Sequence, residues 1–321
     1  MIWVILHASL SPATATVVQV AESGEKQVRL FKVASFKVDQ LPVLAIRFSG
    51  EMLMALTKGG KACALNVTAL KRVREFKCAD KLIKVGAFSG DGKWLACSDE
   101  SQVVKVYELA SGKEVATIRG HGGEIRQMAF SPHGELLAIA CEGCCNMEGD
   151  TRLWWARSGK LFRRLSGDAF SVAFLGGSML IAVGGRNAVA VWDVSEGKMV
   201  RRLQVGLKVN NICFSDKRGL LIASAADGVR PFELSSWRVK PLIEVRRASS
   251  LSCSPDGSLL AVGTYDDVTV VDTIRWKAVL RLTEHGGSFT SVAFSQDGAL
   301  LAAANVGGMV VVWKVVRQKQ R

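Results

Sequence analysis

The feature that most restricts this chain is a phrase that returns about every forty residues. A short apolar run ends in Phe-Ser, a turn with Asp-Gly or its like follows, and Leu-Leu-Ala comes next. It reads Phe88-Ser89-Gly90-Asp91-Gly92 and then Trp94-Leu95-Ala96. It returns as Phe130-Ser131 with Leu136-Leu137-Ala138, as Cys253-Ser254 with Leu259-Leu260-Ala261, and as Phe294-Ser295 with Leu300-Leu301-Ala302. Weaker copies begin at Phe48, Phe174 and Phe214, so the anchors are spaced by 40, 42, 44, 40, 39 and 41 residues. Inside each unit apolar and polar residues alternate, and turns interrupt the alternation about every 8–12 residues. That leaves four short strands per unit and no room for a helix. Such units cannot bury both their faces alone and must stack on their neighbours. Seven of them stacked radially make an all-β propeller.

The units resemble WD40 repeats. Trp192-Asp193 is the dipeptide itself; Trp154-Trp155, Tyr107-Glu108, Phe232-Glu233, Val271-Asp272 and Trp313-Lys314 are degenerate copies. Gly120-His121 and Glu284-His285 stand at the Gly-His place before the innermost strand. The resemblance runs from about residue 40 to residue 316. It implies a seven-bladed propeller of WD40-like four-stranded blades, with Trp154, Trp192 and Trp313 in the core. The family's internal polar set joins the histidine, a strand hydroxyl, a turn Asp and the Trp. The Asp falls six residues before the Trp. That place holds Arg186 before Trp192 and Gly307 before Trp313. Apolar packing is therefore expected to hold the blades.

The last unit supplies three strands and ends near Val316. An N-terminal strand completes the last blade in the family, and Gln27–Val33 fits that strand. Ile2–Ala8 and Thr16–Val20 also read as strands, which makes residues 1–21 an extra N-terminal hairpin. The alternative is eight blades, one incomplete. Residues 1–321 are expected to form one domain.

The opening apolar run, Ile2–Leu6, is far short of the ~20 residues that span a bilayer. No Lys or Arg precedes Lys26, which argues against a signal peptide. Eight cysteines in 321 residues are too few for a disulfide scaffold. The expectation is an intracellular, reducing compartment, the cytoplasm or nucleus, with an organelle left open.

Catalytic signatures are missing. His7, His121, His133 and His285 lie in unrelated units, and no nucleophile elbow, zinc-protease motif or phosphate loop occurs. Cys141, Cys144 and Cys145 have a metal-ligand spacing, with Glu148, Asp150 and His121 nearby, but no second pair completes a shell. The reading is no enzyme, no cofactor, no metal and no small-molecule substrate.

Charge says more. The net charge is +13, and the windows read as outermost strands hold 21 of the 42 Lys and Arg, opposed only by Glu75 and Glu244. A basic perimeter follows, with Arg163, Arg164, Arg201, Arg202, Arg246 and Arg247 as its partner-binding residues. Such a belt favours phosphate backbones, anionic lipid heads or acidic protein surfaces. Trp237 and Trp276 share one turn position in adjacent units, where other units have Gly112, Gly159 or Gly197. They are either exposed rim aromatics that anchor a partner or rings folded over their own outer strands. Phe162-Arg163-Arg164-Leu165 resembles the Phe-Arg-Arg-Gly motif of phosphoinositide-binding propellers, with Leu165 in place of the Gly. The expected function is a non-catalytic scaffold or adaptor, a subunit of a larger multiprotein assembly. An RNA-contacting subunit of a ribonucleoprotein is the first alternative, a phosphoinositide-binding propeller the second.

Overall fold

The structure is a computed structural model that describes residues 17–20, 28–121, 123–143, 149–177, 179–284 and 287–317. Its strands form seven antiparallel sheets. Blade 1 holds Val43–Ser49, Met52–Thr57, Lys61–Asn66 and Lys71–Lys77. Blade 2 holds Ile83–Phe88, Trp94–Asp99, Val104–Glu108 and Glu114–Ile118; blade 3 holds Glu124–Phe130, Leu136–Glu142, Asp150–Trp155 and Leu161–Ser166. Blade 4 runs through Ser171–Phe174, Leu180–Gly184, Ala188–Asp193 and Lys198–Gln204. Blade 5 runs through Asn211–Ser215, Leu220–Ala225, Gly228–Glu233 and Arg238–Val239. Blade 6 follows with Ser250–Cys253, Leu259–Gly263, Val268–Asp272 and Lys277–Leu282. Blade 7 has Phe289–Phe294, Leu300–Asn305 and Met309–Arg317 from the end of the chain. Each first strand packs against the first strand of the next blade, and the seventh meets the first. The molecule is a closed seven-bladed propeller. Among the described residues no helix is long and apolar enough to cross a membrane.

Blade 7 is closed from the other end of the chain. Val28–Lys37 pairs antiparallel with Met309–Arg317, with Leu30 opposite Val315 and Phe36 opposite Val310. Val17–Val20 then pairs with Arg29–Phe31 and adds a fifth strand outside it. The eighth-blade alternative is thus corrected: the extra strand extends blade 7. The closing strand runs four residues past the expected Val33. Gln27, Thr16 and the expected strand Ile2–Ala8 lie outside the described residues.

The recurring phrase builds the turn between first and second strands. In blade 6 the Ser254 hydroxyl donates to Asp256 Oδ1 at 2.6 Å, and Leu259 N donates back to Ser254 Oγ at 2.9 Å. Ser89 with Asp91 and Ser295 with Asp297 repeat the pattern. The following Gly92, Gly257 and Gly298 take φ near +70°, where a side chain costs roughly 1–2 kcal/mol. These hydrogen bonds hold the Asp91, Asp256 and Asp297 carboxyls below the usual carboxylate range; they outweigh burial at Asp91 and Asp256.

The second strands are apolar on both faces because each blade is packed on both sides; Leu136–Cys141 are all buried. The core is accordingly divided into seven clusters, one at each junction between blades. Trp154 and Trp313 are buried there, and their indole nitrogens have no hydrogen-bond partner among the described residues. Trp192 is a correction. It is only half-buried, since Ala188 and Ala190 on the same strand face leave a cleft of about 360 Å³ beside it.

Candidate interaction surfaces

The third-to-fourth-strand turns decide where the rim side chains go. Asp193 Oδ1 accepts from Ser195 N at 2.8 Å and Glu196 N at 2.9 Å. Asp272 Oδ1 accepts from Ile274 N at 2.7 Å and Arg275 N at 3.0 Å. The acid that follows the Trp position therefore caps its own turn. Leu70, Gly112, Gly159, Gly197, Trp237 and Trp276 then occupy the left-handed region, with φ between +51° and +72°. This position faces the preceding blade: Gly112 lies against Phe76, and Gly197 against Arg163. Trp237 and Trp276 do the same. They are half-buried, Trp237 against the junction of blades 4 and 5 and Trp276 against that of blades 5 and 6.

The arginines divide into two groups. Arg163 and Arg164 lie on the outer strand of blade 3 and are engaged. Arg163 Nη2 donates to Ser195 O of blade 4 at 2.7 Å, and its guanidinium lies 5.6 Å from the Phe162 ring centroid. Arg164 Nε pairs with the fully buried Asp150 at 2.7 Å. The Phe162–Leu165 string thus has both guanidiniums committed within the protein. Arg201 and Arg202 are exposed on the outer strand of blade 4; Arg202 Nη2 donates to Asn187 Oδ1 at 3.1 Å.

Arg246 and Arg247 are not on an outer strand. Pro241 has no N–H to give the ladder, so the outer strand of blade 5 ends at Val239. The chain makes one bridge, Val229 with Ile243, and turns at Arg246-Arg247 into blade 6. Both are exposed, and the Arg247 guanidinium lies 5.8 Å from the Tyr265 ring centroid in the second-to-third-strand loop of blade 6. They belong to the propeller face that carries those loops. The last basic window is also displaced: Lys314 and Arg317 sit on the third strand of blade 7, inside the closing strand.

Cys141 is buried within the second strand of blade 3. Cys144, Cys145, Glu148, His7 and His285 lie outside the described residues. No group of three or more His, Cys, Asp or Glu that could hold a metal occurs among those described. His121 packs edge-on to Trp154 at 5.8 Å between centroids. Burial, then the Arg152 charge, pushes its pKa down to about 4. Arg186, in the place of the family's Asp, donates through Nε to Asp168 Oδ2 at 2.6 Å.

Sequence reasoning missed a cleft of about 590 Å³ between blades 1 and 2. His121 stands four residues before the buried Ile125; Ala79 stands four residues before the buried Ile83. An imidazole against Trp154 closes the slot between blades 2 and 3. One junction earlier a methyl group leaves the slot open, floored by Cys78, Cys97 and Tyr107. The substitution of Ala79 for the histidine was the available signal.

Residues 112–154 and 276–314 match the family described as WD domain, G-beta repeat. The chain is 31% identical over 164 residues to small ribosomal subunit protein RACK1y of Oryza sativa subsp. japonica, covering 47% of this chain and 48% of that one. It is 25% identical over 292 residues to pre-mRNA-processing factor 19 homolog 2 of Arabidopsis thaliana, covering 85% and 50%. It is 25% identical over 247 residues to THO complex subunit 3 of Arabidopsis thaliana, covering 72% and 76%. The chain spans about half the length of the first two and about three quarters of the third.

Proposed function

Because the chain carries WD40 repeats closed into a seven-bladed propeller, we propose that it is a non-catalytic scaffold or adaptor, a subunit of a larger multiprotein assembly in a reducing intracellular compartment. The observation that carries this reading is a set of exposed cations. Arg201, Arg202, Arg246 and Arg247 are exposed and form no ion pair among the described residues. The apolar faces of the blades are used up in the ring, so a partner meets loops and rim. Two of the relatives bear the names of subunits, of a small ribosomal subunit and of the THO complex, which supports a place in an assembly. The six described cysteines are free thiols, which fits a reducing cytoplasm or nucleus.

A contact with RNA phosphates is the second reading, favoured by the same four cations and the net charge of +13. Phosphoinositide binding has less support, since Arg163 and Arg164 are engaged within the ring.

The test is affinity purification of the tagged chain, with and without nuclease, against a variant with Arg201, Arg202, Arg246 and Arg247 each changed to Glu. Loss of partners with an unchanged thermal melt is the expected result, because exposed charges contribute little to stability. A variant that keeps every partner at physiological salt overturns the role of these cations. Release by nuclease, with a salt slope near −0.7 per phosphate neutralised, would favour RNA.

A further inference from the structure

The open slot between blades 1 and 2 is ringed by cations. Lys77, Lys81, Lys105 and Arg119 all line it, from three different segments. The end of the outer strand of blade 1 and the segment after it bring Lys77 and Lys81, the third strand of blade 2 brings Lys105, and the segment into blade 3 brings Arg119. Two of these charges are matched: Lys105 Nζ lies 2.9 Å from Glu114, and Lys77 Nζ lies 2.9 Å from Asp80, whose side chain is 95% exposed. Lys81 and Arg119 are exposed and have no ion pair among the described residues. Asp99 also lines the cleft. Its Oδ1 accepts the Ser101 amide at 2.8 Å and the Ser101 hydroxyl, which ties it to its own turn, and its carboxylate also feels the charges of Lys81 and Lys105.

Lys105 has a defined cause for being there. It lies two residues before Tyr107, as Arg152 lies two residues before Trp154. In blade 3 that position is consumed: Arg152 pairs with Asp150 and donates to Gly120 O, with His121 beside it. Blade 2 keeps the basic residue but lacks the histidine that would fill the space. The result is a walled recess with cations at its mouth, rather than a row of charges on a flat rim.

We propose that this recess receives a phosphorylated serine or threonine side chain of a partner protein. The proposal rests on the scaffold reading and names the chemistry of one partner. A carboxylate is satisfied by one cation. Lys81 and Arg119 lack an ion pair, and the lining holds four cations against the two carboxylates Asp80 and Asp99, an excess that suits the nearly double charge of a phosphate monoester. Charge-assisted hydrogen bonds from Lys and Arg to phosphate oxygens are among the strongest available at a protein surface. The volume of about 590 Å³ admits the phosphate and its neighbouring residues.

The test uses the purified chain and a degenerate peptide library with a fixed central phosphoserine or phosphothreonine, beside the same library unphosphorylated. Bound peptides are quantified by mass spectrometry. At least tenfold enrichment of the phosphorylated library is expected. Lys81→Ala with Arg119→Ala should bring it below twofold. Lys217→Ala with Arg218→Ala, which removes equal charge from the exposed turn between the first two strands of blade 5, should leave it intact. Ala79→His, which fills the slot and leaves the four cations in place, should also abolish it, with circular dichroism melts confirming each fold. Equal binding of the two libraries overturns the proposal, as does an equal loss in both double variants. So does retention by Ala79→His, or a recess that binds labelled single-stranded RNA and not phosphopeptides. If phosphate selectivity is absent while the assembly is still recovered from cells, the recess proposal falls and the scaffold reading stands.

Discussion

His121 shows what a single residue of the family's polar set does when the rest of the set is altered. Its ring is packed against Trp154 and close to Arg152 and Asp150. With a pKa near 4 in the folded chain, against about 6.5 when unfolded, the native state binds the proton less well than the unfolded state. Stability from this residue is full above pH 6.5 and is lost as pH falls toward 4. One pKa unit corresponds to about 1.4 kcal/mol, and the partial exposure of the ring reduces the effect, so roughly 1–3 kcal/mol is at stake. The turn carboxylates Asp91, Asp256 and Asp297, being held below their ordinary values, act in a separate window below about pH 4. In urea titrations across pH 7 to 4, His121→Gln should flatten the decline seen in the wild type. An unchanged slope would place the acid sensitivity elsewhere. Trp237 and Trp276 pose the opposite case. They accept a left-handed backbone, which glycine would adopt freely, in exchange for covering a junction between blades.

At the scale of the element, the blades depend on close approach. Gly86 is on the first strand of blade 2, and a Cβ built there overlaps Leu56 Cδ2 of blade 1. Leu56 is fully buried, so it has little room to give way. Gly86→Ala should cost about 1–3 kcal/mol in chemical denaturation, and Leu56→Ala in the same chain should recover part of it. A neutral Gly86→Ala would mean that the junction is looser than its geometry. The Phe-Ser, Asp-Gly and Leu-Leu-Ala phrase was legible in the sequence because each of its residues acts locally. A hydroxyl and a carboxylate close the turn, a glycine takes positive φ, and an apolar run is buried on both faces. The outer strands were less legible. They are exposed and carry no such signature, so Arg246 and Arg247 read as strand residues until Pro241 is seen to end the ladder. The recess at Ala79 was illegible for a different reason, since a missing side chain leaves no motif.

For the whole molecule, closure is the deciding contact. The inner strands of neighbouring blades are stitched by side chains, as where Val292 N donates to Ser250 Oγ at 3.0 Å, Val172 N to Gln127 Oε1 at 2.7 Å and Ile46 N to Ser291 Oγ at 3.2 Å. The last of these stitches joins blade 1 to blade 7. Val28–Lys37 contributes Leu30 to the junction of blades 6 and 7 and Ala34 to that of blades 7 and 1. Deleting residues 1–37 should therefore give an insoluble chain or one that melts without cooperativity. Deleting residues 1–16 removes no described pairing and should leave the melting temperature within a few degrees. Equal behaviour of the two deletions in soluble yield and thermal melt would refute this closure. The same closure sets a clock on synthesis. Lys37 reaches Gly307, 270 positions along the chain, in the finished ring. At the usual ~5–20 residues per second, the ribosome needs roughly fifteen seconds to a minute to cover that distance. For all of that time the edge of Val28–Lys37 that meets Met309–Arg317 has no partner, and it must be kept from other chains until the last blade emerges.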